Sequence, residues 1–308
     1  MKFSLKSGRF FRDQWVQVRS YAEIAATLDA DGKFEGVPFS AEMARYCGTR
    51  ARVFRRADKT CVAGHGMRRM KATVFLQDLR CDGEFHDGCQ RNCLLFWKEA
   101  WLKPADHDAE PPSIDPATVH EVRRAAERLP TRRGDRYICQ STELYDATQN
   151  LSRWNIAPWL RDIAHGELTI GAFLEIVTRT LTHRVFGWRD PGALVGAEGK
   201  KRKGDLNLES GSWINVKESK GIEAELDPNG HNCGLSFTPS MAQHIGGRYQ
   251  VEFPIKKIII EQSGKMVNLT NTVALKGVNC AGTCTKNCPR NEILFWRESW
   301  LRRVDAGK

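Results

Sequence analysis

No stretch of this 308-residue chain approaches the roughly 18 consecutive apolar residues that a membrane-spanning helix requires. The N-terminal MKFSLKSGRFFRDQ is basic but has neither the apolar stretch nor the small-residue cleavage site of an export signal, so a cytoplasmic location is expected. Catalytic signatures are missing too. There is no G-x-S-x-G elbow and no Walker A loop, and His120-Glu121 is followed by Val-Arg-Arg, which leaves H-E-x-x-H incomplete. No Cys-x2-Cys knuckle occurs, which removes the commonest zinc-finger spacing. These absences leave an enzyme without a positive case.

What the chain does have is an internal duplication. Residues 74 to 102 return without a gap at 273 to 301, so that Cys81, Gly83, Cys89, Arg91, Phe96, Trp97, Glu99 and Trp101 meet Cys280, Gly282, Cys288, Arg290, Phe295, Trp296, Glu298 and Trp300. Upstream the match continues one residue out of step: WVQVRS at 15 faces WINVKE at 213, and Met43, Gly48, Arg50 and Val53 face Met241, Gly246, Arg248 and Val251. One module, written twice, carries most of the sequence.

Within the module, the alternation of Trp15 to Val18 predicts a strand, followed by a short helix at Ala22 to Leu28. Asp29-Ala-Asp-Gly32 and Asp227-Pro-Asn-Gly230 predict a tight turn closed by glycine. Ser40 and Thr238 then read as N-caps of a one- or two-turn helix ended by Gly48 and Gly246, with Met43 and Met241 as core anchors. Strands are expected at Ala51 to Arg55, Thr73 to Leu79 and Leu94 to Leu102, and in the second copy at Tyr249 to Glu261, Thr272 to Val278 and Ile293 to Leu301.

The V-x-V start, the G-x-R-x-[RQ]-V crossing at Gly48 to Val53 and Gly246 to Val251, and the Trp-rich end resemble a small SH3-like barrel of the KOW type or of the nitrile hydratase β subunit. The resemblance implies a fold for the modules alone, because the metal-binding cysteine motif of nitrile hydratase belongs to its other subunit. The tandem layout also resembles an uncharacterised family of bacterial proteins, and that likeness implies no activity.

Between the modules the apolar period lengthens to about 3.6. Asp115-Pro116 opens a helix carrying Val119, Val122, Ala126 and Leu129; Ser141 is expected to cap a second; Thr169 caps a third, with Ile170, Phe173, Leu174, Val177 and Leu181 as its stripe. Stretches 104 to 113, rich in Pro and acid, and 189 to 211, rich in Gly and Lys, read as linkers. The expected architecture is therefore α+β, with two duplicated SH3-like β-barrel modules at 1–105 and 206–304 and a helical connector at 114–188.

The ten cysteines are the candidate chemistry, since a reducing compartment does not preserve structural disulfides. The first module offers Cys61, Cys81, Cys89 and Cys93, with Cys47 on the short helix; the second offers Cys233, Cys280, Cys284 and Cys288. Four thiolates per module suit a tetrahedral zinc site or an iron-sulfur cluster. Only Cys81/Cys280 and Cys89/Cys288 are equivalent by position. The spacing Cys280-x3-Cys284-x3-Cys288 lies in a polar stretch where packing alone explains little, and Cys288-Pro289 resembles the end of a ferredoxin cluster motif. Zinc is the expected metal, with an iron-sulfur cluster as the alternative. His65 and His86 lie near the first set, but Gly264 and Thr285 replace them in the second copy, so they read as solvated loop residues rather than shared ligands.

Glu99 and Glu298 are expected to neutralise Arg91/Arg290 or Arg50/Arg248 at the barrel rim. Trp97, Trp101, Trp296 and Trp300, at spacings that share a face, read as core before they read as base-stacking surfaces. The net charge of +10 suits an acidic protein, nucleic acid or an anionic surface, and the basic residues are scattered. The function expected is that of a non-catalytic metal-binding accessory or adaptor protein acting on a partner protein or biosynthetic enzyme, with an iron-sulfur electron carrier or redox enzyme component or a nucleic-acid-binding protein as alternatives.

Overall fold

The computed structural model describes residues 9–106, 116–152, 154–186, 192–197, 204–282 and 286–304. Cys284, the lysine-rich run 199–203 and most of the expected first linker lie outside these residues. The chain divides into two compact units. One comprises Met1–Phe173 together with Ile259–Met266 and Thr285–Arg290, and the other Leu174–Ile258, Val267–Cys284 and Asn291–Lys308.

In the first unit, five antiparallel strands form a sheet in the order Leu94–Lys98, Thr73–Arg80, Arg50–Arg56, Trp15–Val18, Leu102–Pro104. The second unit repeats this order with Ile293–Arg297, Thr272–Asn279, Arg248–Pro254, Trp213–Val216, Leu301–Arg303. Even the irregularities coincide. The register slips between Val53 and Arg55 in one sheet and between Val251 and Phe253 in the other, bending each sheet at the same place.

The backbone carries the duplication where side chains have diverged. Asp13, Glu35, Ala72, Asp78 and Asn92 have positive φ, and so do Gly211, Cys233, Asn271, Gly277 and Asn291, their counterparts. Left-handed backbone is costly for most residues, so its recurrence at matched sites reflects one inherited chain path. The expected turns form as read: Gly32 and Gly230 lie at φ +71° and +77°. Asp29 accepts from the amides of Asp31 and Lys33, as Asp227 does from Asn229 and His231. The short helix is Tyr21–Ala25 with a capping box from Ser20 and Glu23, and the next is a 3-10 turn, Ala41–Tyr46 or Pro239–His244.

The strand expected over Leu94 to Leu102 is broken by a 3-10 turn at Glu99–Trp101, as is its counterpart at Glu298–Trp300. The break lets both tryptophans of each copy face inward. Trp97, Trp101, Trp296 and Trp300 are fully buried, so they offer no stacking face to bases. Phe39 meets Trp101 edge-on at 5.5 Å and Phe237 meets Trp300 at 5.4 Å, the favoured geometry for aromatic quadrupoles. The break also turns Glu99 and Glu298 inward, where they accept from the backbone of the segment preceding the first strand: Glu99 from Arg9 N, Glu298 from Leu208 N. The cation beside Glu99 is Arg56, at 2.6 Å, rather than Arg50 or Arg91.

Helices Pro116–Ala126, Ala157–Ala164 and Ile170–Phe186 lie between the repeats in sequence. The helix expected from Ser141 is instead a run of turns over 141–147. Thr142 Oγ1 accepts from Cys139 N, satisfying that amide locally before a helix can. Ile170, Leu174 and Leu181, expected as an apolar stripe, are exposed. Among the described residues no helix is long and apolar enough to cross a membrane.

Candidate metal centre

Three segments of the first unit converge on one small cavity. The first contributes Ser40 to the cavity wall, and the 3-10 turn after it carries Glu42, completely buried beside His86. The loop between strands Thr73–Arg80 and Leu94–Lys98 delivers Cys81, His86, Cys89 and Cys93, its neck closed by Cys81 N donating to Cys93 O at 2.9 Å. Gly83 curls this loop. At φ +72° it receives the amides of His86 and Gly88 on its carbonyl, and an added Cβ would overlap Cys89 O and stand 2.7 Å from Cys89 N. The third segment carries Cys139 and is fixed by its neighbour Gln140. The Gln140 amide accepts from Phe96 N at 2.8 Å and donates to Phe96 O and Pro38 O, each at 2.9 Å, docking the segment onto the sheet edge.

The resulting cavity, about 40 Å³, is lined by Ser40, Cys81, His86, Cys89, Cys93 and Cys139. It is large enough for a single ion or water and too small for an organic substrate. Among the described residues, Glu42, Cys81 and His86 form a set whose ligand atoms all lie within 4.8 Å of one another. His86 Nε2 lies 2.9 Å from Ile138 O, and because a carbonyl only accepts, that nitrogen carries a proton and Nδ1 faces inward. Metal-ligating histidines are commonly oriented through the other ring nitrogen in this way. Nδ1 lies 2.5 Å from Glu42 Oε1, while Glu42 Oε2 is buried without a hydrogen-bond partner. Such an orphaned carboxylate oxygen suits a ligand that brings positive charge.

The electrostatics agree. Burial pulls His86 toward neutrality, but the hydrogen bond and charge of Glu42 outweigh it and raise its pKa. Burial likewise pushes the Glu42 carboxyl up, and His86 more than reverses the effect, so each partner favours the charged form of the other. Burial pushes the Cys81 thiol well above its ordinary range, and Glu42, Cys93 and Cys139 add to the shift. Cys139 is also raised by burial. A cluster of acids that resist ionising together is what a cation relieves.

The remaining candidates lie elsewhere. Cys61 faces Cys288, whose Sγ is 3.2 Å away. Cys233 is exposed at a hairpin turn with φ +47°, the position Glu35 holds in the first copy. Cys280, the counterpart of Cys81, sits 3.2 Å from the hydroxyl of Ser240, the counterpart of Glu42. In the second copy a hydroxyl thus replaces the carboxylate, and Thr285 occupies the sequence position of His86. His65 stacks near Tyr145, at 4.3 Å between ring centroids.

Glu42 and Cys139 were not among the sequence candidates, and His86, expected as a solvated loop residue, is instead buried at 2% exposure; none of the three has a counterpart of its own type in the repeat. The available signal for Glu42 was an acid at the start of a turn beside the core anchor Met43. Comparison with family models, curated proteins and solved structures finds no match for this chain.

Proposed function

We propose that this chain is a non-catalytic metal-binding accessory protein in which two SH3-like barrels flank a helical connector and the first barrel is stapled by zinc. The observation that carries the reading is the Glu42, Cys81 and His86 set with its unpartnered Glu42 Oε2. Nitrogen, sulfur and oxygen donors together suit zinc. Cys93 or Cys139, on the same cavity, would complete four ligands. The ion would tie the turn after Ser40, the cysteine loop and the Cys139 segment together, so its binding energy is folding energy. A structural role follows from the burial and size of the cavity, which admits no substrate.

The partner we propose is an acidic protein surface. A net charge of +10 speeds encounter with an oppositely charged partner.

One observation favours a second reading. Cys81, Cys89, Cys93 and Cys139 line one cavity, and four thiols are the number that an iron-sulfur cluster would take. Metal analysis with a visible absorption spectrum of anaerobically purified protein separates the two. Zinc with no charge-transfer absorption supports the staple, iron with sulfide and visible bands supports the cluster, and no metal at all defeats both.

A further inference from the structure

Cys61 and Cys288 stand outside the metal cavity, and their sulfurs face each other. Cys288 Sγ lies 3.2 Å from Cys61 Sγ and also accepts from Cys61 N at 3.3 Å. Arg290 fixes the approach: Nη1 donates to Cys61 O at 2.9 Å, and Nη2 binds Glu261 at 2.7 Å and Ser141 Oγ at 3.0 Å. Glu261 is shared with Arg91 and accepts from Ala63 N, so two guanidiniums face one carboxylate close to the sulfurs. This is the electropositive setting in which a thiol becomes a thiolate.

The duplication supplies an internal control. Cys89, the counterpart of Cys288, makes the same contact on the opposite copy, accepting from Ile259 N at 3.3 Å, while Arg91 donates to Ile259 O at 3.3 Å. Cys61 and Ile259 are themselves counterparts. The sulfur–amide and guanidinium–carbonyl contacts are therefore reciprocal within the first unit, yet the residue whose amide donates is a cysteine in one arm and isoleucine in the other. Backbone geometry accounts for the contacts in both arms. It does not account for the cysteine at 61, where the other arm is satisfied by isoleucine.

We propose that Cys61 and Cys288 form a hydroperoxide-reactive dithiol, with Cys288 as the attacking sulfur and Cys61 as the resolving one. The Cys288 thiolate attacks a peroxide oxygen; an S–O bond forms, the O–O bond breaks, and hydroxide leaves and is protonated to water. The Cys61 sulfur then attacks the Cys288 sulfenic acid; the S–S bond forms, the S–O bond breaks, and the departing oxygen takes the Cys61 proton as a second water. Two thiols lose two electrons and one hydrogen peroxide is reduced to two waters. The sulfurs must close from 3.2 Å to about 2 Å. Arg290 favours the first step, because burial disfavours ionisation of Cys288 but the hydrogen bonding with Cys61 and the Arg290 charge overcome it. The disulfide would lock the segment carrying Cys288 and Arg290 to strand Lys59–Val62.

The test is peptide mapping of the full-length protein, treated with a modest excess of hydrogen peroxide, alkylated and digested without reductant. The expected result is a Cys61–Cys288 crosslinked peptide that dithiothreitol reverses, formed ahead of any crosslink involving Cys89 or Cys93. In Cys61→Ser, dimedone should label Cys288 and the crosslink should vanish. Recovery of both thiols fully alkylated after peroxide, or preferential crosslinking of Cys61 to another cysteine, would overturn the proposal. If Cys61→Ser does not fold, the wild-type map decides alone. The mapping is read with and without chelator: a crosslink in metal-free protein upholds the dithiol even where the zinc reading fails.

Discussion

The sulfur of Cys288 lies 3.2 Å from that of Cys61, although 227 residues separate them in sequence. Burial opposes ionisation of Cys288, but the Cys61 hydrogen bond and the Arg290 guanidinium outweigh it and lower the thiol to about 7. Cys47, by contrast, is pushed by burial up to about 12. The rate of alkylation of Cys288 by iodoacetamide should therefore reach half its plateau near pH 7, and Cys61→Ala should move that point upward. Cys47 should stay unreactive throughout. A Cys288 profile centred above pH 8.5 would show that the two neighbours do not act as described.

Loop geometry makes a sharper mechanical prediction. Gly83→Ala places a Cβ against Cys89 at φ +72°, whereas Gly66→Ala meets open space at φ +69°. The first should cost about 3 kcal/mol or more, and the second about 1 kcal/mol from the left-handed backbone alone. Denaturant unfolding of the two variants reads the difference, and equal losses would contradict the packed cysteine loop.

Glu167 gives a pH dependence whose sign is fixed. Burial, aided by the charge of Asp162, raises this carboxyl to about 7 against the donation from Arg56 N. Between its ordinary 4.5 and about 7 the folded protein holds a proton that the unfolded chain releases, so this group's contribution is full below that window and is lost as pH rises through it. Across the window the loss is on the order of 3 kcal/mol. Glu167→Gln, which mimics the protonated acid, should abolish that part of the slope. A variant with the wild-type slope would remove Glu167 as its source.

Metal binding should release protons. Cys81 holds its proton well above neutrality and His86 is raised, so the ion displaces protons from both. Affinity should climb roughly tenfold per pH unit for each proton released. Titration calorimetry in buffers of different ionisation enthalpy counts those protons, and a buffer-independent heat would mean that neither group is a ligand.

Much of the fold was legible because duplication turns weak local signals into paired ones. Trp15–Val18 and Trp213–Val216, the Asp29 and Asp227 turns and the Met43 and Met241 anchors each had a second witness. The break at Glu99–Trp101 was hidden because alternating apolar residues read as strand wherever a one-turn inward rotation also buries them. The candidate site was legible only in part. Cys81, Cys89 and Cys93 share a loop, so nearness in sequence groups them, and all three line the same cavity. Cys139 comes from a segment held by side-chain contacts such as those of Gln140 and Ser141 to residues far away in sequence, and Glu42 from a turn whose counterpart is serine. Contacts made across long separations by unrepeated residues leave no periodic trace. Cys61 was assigned to the same loop set by proximity, yet it faces Cys288.

The most direct test of the account is metal stoichiometry of the purified full-length chain, measured beside Cys81→Ser, Glu42→Gln and Cys280→Ser. One zinc per chain is predicted, lost in Cys81→Ser and weakened at least tenfold in Glu42→Gln, and unchanged in Cys280→Ser, whose neighbour is the Ser240 hydroxyl rather than a carboxylate. Two ions per chain, none, or one that survives Cys81→Ser and disappears in Cys280→Ser would contradict it.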